Sequence, residues 1–300
     1  MTETAVVRRI RQLAAEGPRN KAILHGIGDD CAVMRPRANE DLVFTTDFVL
    51  QDRHFTLDTH NAADVGHKAL ARSLSDLAAM GSEPMFCLVS LAVPQSLSAK
   101  WTEQFYRGLL SLAGRYNVTL AGGDLSRFEK VIVDVICCGR VPEGKALLRS
   151  GAKPGDRIYV TGELGASALG LSTKKGSAWK RHLRPAPRVE AGIALRKLGV
   201  SACMDLSDGL SLDLHRLCLE SGVSAELSPN LPVAKGATVD QALHGGEDYE
   251  LMFTASARKK VPPGLGTAIG MITAATPGRV LYDSQLLTPA GFDHFRGSFR

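Results

Sequence analysis

The sequence predicts an α/β or α+β fold, because short apolar runs alternate with segments of helical periodicity along most of its 300 residues. Residues 85–93 and 131–138 are apolar runs of the length expected for buried strands. Residues 61–80 instead place their apolar side chains on one helical face. Buried strands that alternate with amphipathic helices form sheets covered by helices.

The first half of the chain is predicted to alternate helices with strands. A Gly-Pro pair at 17–18 ends the first helix, and a Met-Gly pair at 80–81 ends the second. One strand is predicted to stop at Asp47 and another at the Gly-Gly-Asp turn of residues 122–124. The predicted helices are 4–16, 61–80 and 98–115, and the predicted strands are 42–46, 85–93, 118–121 and 131–138.

A domain boundary is predicted near residues 139–151, which gives an N-terminal domain of residues 1–140 and a C-terminal domain of residues 141–300. The basic segment 174–187 has weak periodicity and is predicted to be a mobile loop. Beyond the boundary the alternation restarts. The predicted strands are 157–162, 249–254, 267–272 and 280–282, and residues 204–209 are predicted to be a strand end and turn. One predicted helix begins at 166, and two others cover 188–198 and 210–221.

Composition and charge exclude several classes of protein. The net charge is +5, and the longest basic tract is Arg258-Lys259-Lys260, so the chain lacks the clustered basic face of a nucleic-acid-binding protein. No apolar run approaches the roughly 18 residues that cross a membrane, and the first residues lack the apolar core of a signal peptide. We therefore expect a soluble, cytoplasmic protein that contacts neither nucleic acid nor membrane.

Six cysteines are present without a Cys-x-x-Cys pair or a histidine at zinc-binding spacing. We interpret them as small buried apolar residues in a reducing compartment. Cys137 and Cys138 are adjacent in one apolar run, so they should point to opposite faces of a strand.

Aspartates recur at predicted strand and helix ends, mostly beside Gly, Ser or Thr. Mg²⁺ prefers oxygen ligands and needs only one or two carboxylates when phosphates supply the others. Repeated acidic sites therefore favour a phosphate site with several metal ions, although aspartate is also common in plain turns. Asp76 near a helix C-terminus additionally requires a cation or solvent to offset the helix dipole. The residues are Asp30, Asp47, Asp76, Asp124, Asp205 and Asp208.

Residues 139–145 fit the phosphate-loop pattern G-x-x-x-x-G-K, but Ala146 follows where a Ser or Thr should bind Mg²⁺. Gly151 and Pro154 also leave no room for the required helix, so we interpret the match as chance. The sequence contains neither the G-x-G-x-x-G pattern of dinucleotide binding nor the G-x-S-x-G elbow of serine hydrolases.

Seven motifs in order resemble the thiamine-monophosphate kinase family of the aminoimidazole ribonucleotide synthetase superfamily, and they cover nearly the whole chain. They lie at residues 26–30, 45–47, 73–81, 122–124, 149–156, 205–210 and 245–251. The resemblance implies a PurM-like two-domain fold, in which the N-terminal sheet pairs with that of a second subunit to form a dimeric barrel. The C-terminal domain should be an α/β sandwich.

The resemblance also implies the activity: ATP phosphorylates thiamine monophosphate to thiamine diphosphate, with several Mg²⁺ ions, in a homodimer. The implied roles are metal binding by Asp30, Thr45, Thr46, Asp47, Asp76, Asp124, Asp205 and Asp208; catalysis by Asp47, Asp124 and Asp208; ATP binding by Tyr106, Gly123, Asp124, Arg149 and Ser207; and substrate binding by His54, Glu247 and Phe292. From the residues alone, Tyr106 and Phe292 could be packing aromatics, and His54 and Arg149 could be solvated.

Three other functions fit parts of the pattern. A related superfamily enzyme would use ATP with another acceptor, a metal-dependent phosphohydrolase would release phosphate without ATP, and a regulatory protein would bind Mg·ATP without turnover. Residues 174–187 and 227–243 are shorter than expected for the family, which bears on the acceptor more than on ATP. The resemblance and the absence of a nucleophile–base pair favour direct in-line phosphoryl transfer.

Overall fold

A computed structural model describes residues 3–25, 27 and 33–292. The chain divides into two compact units. The first unit comprises Met1–Leu77 and Ser82–Lys145, and the second comprises Ala78–Gly81 and Ala146–Arg300. Strands and helices alternate in both units, which confirms the predicted α/β class. Over the described residues, no helix is both long enough and apolar enough to cross a bilayer.

The first unit is built on a four-stranded sheet of order β3-β6-β4-β5, in which β4 and β5 are parallel and the other neighbours antiparallel. Its elements are α1 (Glu3–Ala15), β1 (Ile23–His25), β2 (Val33–Met34), β3 (Glu40–Leu50), α2 (Ala62–Ala79), β4 (Glu83–Val93), α3 (Ala99–Arg115), β5 (Thr119–Arg127) and β6 (Ile132–Pro142). The three helices lie within a residue or two of their predicted bounds.

The two faces of this sheet differ. On one face lies α2, whose Ser73 hydroxyl donates a hydrogen bond to the carbonyl of Val135 at 3.0 Å. Alternate residues of β3 point to the opposite face, where Phe44 is 59% exposed and Phe48 is 56% exposed. Part of that open face is covered by apolar side chains of the β1–β2 pair, including Ile23.

Two predicted strand ends in this unit are wrong. β3 continues past Asp47 to Leu50, and Asp47 pairs with Val135 of β6 inside the ladder. β5 likewise runs through residues 122–124, where Gly123 pairs with Val89 of β4. The polar and glycine residues that resemble turns are held in extended conformation by neighbouring strands, and strand pairing overrides the local turn preference.

The second unit is built on a seven-stranded sheet of order β13-β12-β9-β11-β7-β10-β8. All neighbours are antiparallel except β9 and β12. Leu210, Leu214 and Leu217 of α7 are buried in the core of this unit, as their spacing predicts. The elements are β7 (Asp156–Val160), α4 (Ala166–Thr173), α5 (Gly176–Leu183), α6 (Val189–Leu198), β8 (Ala202–Asp205), α7 (Leu210–Ser221), β9 (Ser224–Leu227), α8 (Val239–His244), β10 (Leu251–Ser256), β11 (Thr267–Thr273), β12 (Val280–Tyr282) and β13 (Gln285–Leu286).

The prediction of a mobile loop over 174–187 is wrong, because the helix α5 occupies its centre. Two contacts hold this helix in place. The ring of Trp179 stacks on the buried ring of His182, and Arg181 forms an ion pair with Glu250. Periodicity in the sequence reports only on nearby residues, so it does not reveal a helix that distant residues stabilise.

The segment 227–243 leads into α8 (Val239–His244), a helix that was not predicted. Its start carries a capping box, in which the side chain of Thr238 accepts from the backbone N–H of Gln241 and the Gln241 side chain accepts from the backbone N–H of Thr238. A Thr-x-x-Gln pattern is the sequence signal that could have found this helix.

Residues 139–145, which match the phosphate-loop pattern, do not form a phosphate loop. β6 runs to Pro142, and no helix begins in the described chain between Lys145 and Ala166. A phosphate loop requires a helix N-terminus directly after the lysine, so this segment cannot cradle phosphate in that way.

The five cysteines that the structure describes are all free and buried. Cys138 packs in the small apolar cluster on the open face of the sheet. Cys137 lies opposite Cys87 in the β6–β4 strand register. Burial raises the pKa of the Cys138 thiol to about 12. Both results confirm the interpretation of these cysteines as apolar packing residues, and Cys31 lies outside the described residues.

Candidate active site

The first unit brings three predicted metal-site residues together on the face covered by α2. Arg72 and Asp76 lie one turn apart on α2, and Thr45 and Asp47 lie two residues apart on β3. Arg72 Nη2 donates to Asp47 Oδ1 at 3.0 Å, and the Thr45 hydroxyl donates to Asp76. The carboxylate near the end of α2 is therefore stabilised by a hydroxyl donor, and Asp47 by a guanidinium that the sequence analysis did not single out.

Two other predicted metal residues lie on the opposite face of the same sheet. Thr46 follows the alternation of β3, and its hydroxyl donates to Asp134 Oδ1 at 2.5 Å. Ser90 pairs with both Asp134 and Asp124, so the register places Asp124 on this face as well. The sheet thus separates Thr46 and Asp124 from Asp47. Asp30, also predicted to bind metal, lies outside the described residues.

The predicted ATP contacts of the first unit have packing roles in the structure. Tyr106 is 3% exposed in α3, its ring meets Phe105 edge-on at 5.2 Å, and burial raises the pKa of its hydroxyl. At Gly123 a Cβ atom would lie 2.0 Å from the carbonyl oxygen of Val89, so only glycine allows β5 to approach β4 this closely. Their contact with ATP stays a prediction.

His54, predicted to contact substrate, lies in the turn after β3. Its Nδ1 accepts the backbone N–H of Leu50 at 2.9 Å, and the fully buried Lys68 donates to its carbonyl at 3.2 Å. The ring and the backbone of His54 are therefore both fixed rather than solvated. Lys68 was not identified from the sequence, because a lysine inside an amphipathic helix normally faces water.

In the second unit, a buried carboxylate organises the turn that carries Asp205, Ser207 and Asp208. β8 ends at Asp205, and Asp213 in the first turn of α7 accepts the backbone N–H groups of Asp208 and Gly209 at 3.0 and 3.1 Å. Burial, and then the charges of Asp208 and Asp205, raise the pKa of Asp213 to about 7. Asp213 was not predicted as a site residue. Its position four residues after Gly209, in the first turn of a helix, is the sequence signal that could have identified it.

Arg216 completes this turn. Its Nη1 atom lies 2.5 Å from Asp208 Oδ2 and 3.1 Å from Asp213 Oδ1, so one guanidinium serves both carboxylates. Arg216 was not predicted, yet its role parallels that of Arg72 on Asp47. In each unit, an arginine on a helix offsets the charge of a predicted metal ligand.

Two acidic residues of the motif 245–251 have structural partners. Asp248 accepts the backbone N–H groups of Gly165 at 2.6 Å and Ser167 at 3.0 Å, at the N-terminus of α4. Glu250 is fully buried and accepts hydrogen bonds from three side chains. These donors are Thr161 at 2.6 Å, Arg188 at 2.5 and 2.7 Å, and Arg181.

Glu247, the third acidic residue of the motif, lies beside the turn of Ser207 and Asp208. Its backbone N–H donates to the carbonyl of Ser207 at 2.7 Å, and that of Phe292 donates to the carbonyl of Asp208 at 2.9 Å. Four predicted site residues of the second unit are therefore joined by backbone hydrogen bonds. Arg149 is exposed, and its carbonyl accepts from the Ser221 hydroxyl at 2.8 Å.

The donor sets fit a hard cation that keeps other oxygen ligands. In the described part of the chain, no group of three or more His, Cys, Asp or Glu side chains is arranged to hold a metal by itself. The predicted ligands all offer oxygen. Thr45, which donates to Asp76, lies on the same face of β3 as Asp47, and Asp205 and Asp208 lie on one turn. One or two carboxylates per ion, completed by phosphate and water, is the usual Mg²⁺ arrangement.

The sequence matches two family models. Residues 28–141 match the N-terminal domain of the AIR synthase related proteins, and residues 153–281 match their C-terminal domain. Thiamine-monophosphate kinase of Buchnera aphidicola subsp. Acyrthosiphon pisum is 38% identical, and the match covers 91% of this chain and 93% of that protein.

Solved structures give the same result. Thiamine-monophosphate kinase from Stenotrophomonas maltophilia K279a superposes with a TM-score of 0.84 at 36% identity, covering 96% of this chain and 98% of that one. AaThiL complexed with AMPPCP and TMP superposes with a TM-score of 0.80 at 30% identity, covering 98% and 97%. The chain therefore belongs to the thiamine-monophosphate kinase family, within the AIR synthase related proteins.

Proposed function

We propose that this chain transfers the terminal phosphoryl group of ATP to thiamine monophosphate, giving thiamine diphosphate and ADP. The observation that carries this proposal is the 38% identity to a thiamine-monophosphate kinase over 91% of the chain. The complex of AaThiL with AMPPCP, an ATP analogue, and TMP supports the choice of both substrates.

The predicted metal ligands are proposed to hold Mg²⁺. Thr45, Asp47 and Asp76 meet between β3 and α2, and Asp205 and Asp208 share a turn that Asp213 holds. When bound, Mg²⁺ would supply positive charge that offsets the repulsion between the two phosphate groups. The further ligands of this proposal are Asp30, Thr46 and Asp124.

The remaining site residues fall into two groups, those suited to phosphate and those suited to the cationic part of the acceptor. Arg149 would pair with phosphate oxygens of ATP, and Ser207 would donate a hydroxyl hydrogen bond, because both are donors. Glu247 repels phosphate and would face the cationic part of the acceptor. The other proposed contacts are Tyr106, Gly123 and Asp124 for ATP, and His54 and Phe292 for thiamine monophosphate.

The reaction is proposed to be direct in-line transfer, with catalysis by Asp47, Asp124 and Asp208. The acceptor phosphate oxygen is already anionic, so it needs no general base to remove a proton. The protein's work is then to position the two phosphates and to balance charge. Trapping of a phosphorylated side chain during turnover would contradict direct transfer.

The assembly is proposed to be a homodimer in the cytoplasm. The open face of the four-stranded sheet presents Phe44 and Phe48, which are more than half exposed. Exposed aromatic side chains on a sheet face favour burial against a partner. A matching sheet from a second copy would close the two into a barrel.

The test is incubation of the chain with Mg·ATP and thiamine monophosphate, followed by chromatography of the thiamine phosphates and ADP. The proposal expects equal amounts of thiamine diphosphate and ADP. Free phosphate without ATP would instead indicate a phosphohydrolase, and turnover only with another phosphate or amide acceptor would indicate a related superfamily enzyme. Binding of Mg·ATP without turnover would indicate a regulatory protein.

A further inference from the structure

Glu247 has a fixed backbone but needs a partner to fix its carboxylate. Its φ of 64° is unusual for a residue other than glycine, and its N–H is bound by the carbonyl of Ser207. A glutamate side chain keeps three rotatable bonds, and holding it in one rotamer costs conformational entropy. A contact that selects one carboxylate position therefore prepares the residue for its ligand.

His182 of α5 provides that contact. Its Nδ1 atom lies 3.4 Å from Glu247 Oε2, and the side chain is 3% exposed. A buried ring with its nitrogen beside a carboxylate limits the positions that the carboxylate can take.

His182 is itself held on two sides. The Ser167 hydroxyl and His182 Nδ1 are hydrogen-bonded at 2.9 Å, and Ser167 is almost fully buried. The ring of Trp179, one turn earlier on α5, stacks on His182 with ring centres 5.2 Å apart and planes 14° apart. Ser167 in turn donates its backbone N–H to Asp248, so the imidazole rests on a fixed part of α4.

The helix α5 is tied to the motif 245–251 at two points. Arg181 contacts Glu250, and the next residue, His182, contacts Glu247. Neighbouring residues on α5 thus serve two different acidic residues of one motif. This arrangement couples the position of α5 to the position of Glu247.

We infer that His182, held by Ser167 and Trp179, is a positioning residue that fixes the Glu247 carboxylate for the cationic thiazolium part of the acceptor. The inference rests on the proposed function, since it assigns the acceptor to Glu247. A carboxylate repels the phosphate and attracts the positively charged ring, so this contact selects the organic part of the substrate. The contact should therefore affect binding of the acceptor and not binding of ATP.

The test compares steady-state kinetics of His182→Ala with those of the wild type. We expect the KM for thiamine monophosphate to rise about tenfold, while the KM for ATP stays within twofold. The His182→Asn variant places an amide atom near the position of Nδ1 and should return the KM for thiamine monophosphate to within about threefold of the wild type. Trp179→Leu, which removes the stacking partner, should shift the same KM in the same direction by less.

His215→Ala is the matched control. His215 also lies in the second unit, and its Nδ1 is bonded to the carbonyl of Gly278 at 2.7 Å, so the variant loses a comparable histidine hydrogen bond. It should lose stability without a change in the KM for thiamine monophosphate. A rise in that KM equal to the rise in His182→Ala would mean that general loosening is the cause, and would overturn the inference.

A double-mutant cycle decides whether His182 acts through Glu247. In the Glu247→Gln background, His182→Ala should add less than twofold to the KM for thiamine monophosphate. Independent, multiplying effects would overturn the positioning role. A wild-type chain that makes thiamine diphosphate, beside a His182→Ala chain with unchanged KM, removes this inference alone. A wild-type chain that makes none removes the proposed function as well.

Discussion

The Asp47 carboxylate lies in the middle of β3 and accepts a hydrogen bond from Arg72. Removing its negative charge should leave the strand intact, because the ladder depends on the backbone. We expect Asp47→Asn to reduce the rate of thiamine diphosphate formation by about 10²-fold or more, the typical effect of losing one electrostatic contact at a reacting group. Asp208→Asn should do the same. Unfolding temperature and turnover are measured together.

Glu103→Gln serves as the control for the Asp47 variant. Glu103 on α3 pairs with Arg9 and Arg107, so its variant also loses a carboxylate with arginine partners. Its turnover should match that of the wild type. An Asp47→Asn enzyme with wild-type turnover would remove Asp47 from the site.

Gly123 should be intolerant of a side chain for reasons of packing. The Cβ of Gly123→Ala would lie 2.0 Å from the Val89 carbonyl oxygen, so β4 and β5 must separate. Overpacking of this kind typically costs about 1–3 kcal/mol or more in the free energy of unfolding. Gly114→Ala in α3 meets nothing within 4 Å and should gain about 0.5–1 kcal/mol. Urea denaturation compares them, and equal stability of the two variants would contradict the close approach.

Asp248 should make stability depend on pH. Burial is the main cause that raises its pKa to about 6. Between about pH 4 and 6 the folded chain therefore binds more protons than the unfolded chain, so this residue's contribution to the free energy of unfolding falls as pH rises. Asp248→Asn does not titrate. We expect the stability of the wild type, relative to the variant, to fall by about 2–3 kcal/mol from pH 4 to pH 7.

The measurement for Asp248 is urea denaturation of both chains across that pH range. Asp240→Asn, at an exposed position of α8, is the control and should follow the wild-type profile. Parallel wild-type and Asp248→Asn profiles would show that Asp248 does not contribute this dependence.

At the scale of elements, α5 is held by distant partners rather than by its own propensity. The helix has only eight residues, which is too short to be stable alone. Arg181 binds Glu250, whose carboxylate is also held by Thr161 and Arg188. This cluster, in which the carboxylate is buried and the arginines are partly exposed, links α5 to β10 through the residue just before that strand.

Glu250→Gln should therefore destabilise the second unit and loosen α5. Removing one side of a fully buried ion pair typically costs about 3–5 kcal/mol. Arg181 and Arg188 are partly exposed, so we expect a smaller loss here. We expect lower urea resistance and faster trypsin cleavage after Lys180 and Arg181. Glu226→Gln on the exposed side of β9 should change neither measurement. Unchanged cleavage in Glu250→Gln would contradict the anchoring role.

At the scale of the whole molecule, the proposed homodimer rests on the open face of the four-stranded sheet. We expect Phe48→Glu to shift the protein from dimer to monomer in light scattering, because burying an unpaired carboxylate between two sheets is strongly unfavourable. Leu286→Glu, at a more exposed apolar side chain of the second unit, should leave the mass unchanged. A monomeric wild type, or a dimeric Phe48→Glu, would count against the barrel.

The sequence by itself determined the alternation of helices and strands, the bounds of α2, α3 and α7, and the order of motifs that identifies the family. These features are local, since periodicity and motif spacing involve residues a few positions apart. They suffice for the fold class and for the positions of most candidate residues.

Only the tertiary structure decided which of those residues meet. Asp47 lies inside a strand and contacts Arg72, Thr46 and Asp124 lie across the sheet from it, and Glu250 gathers Thr161, Arg181 and Arg188. The physical reason is that strand register and buried polar contacts join residues tens of positions apart. Their partners are set by how the chain packs, and no local pattern carries that information.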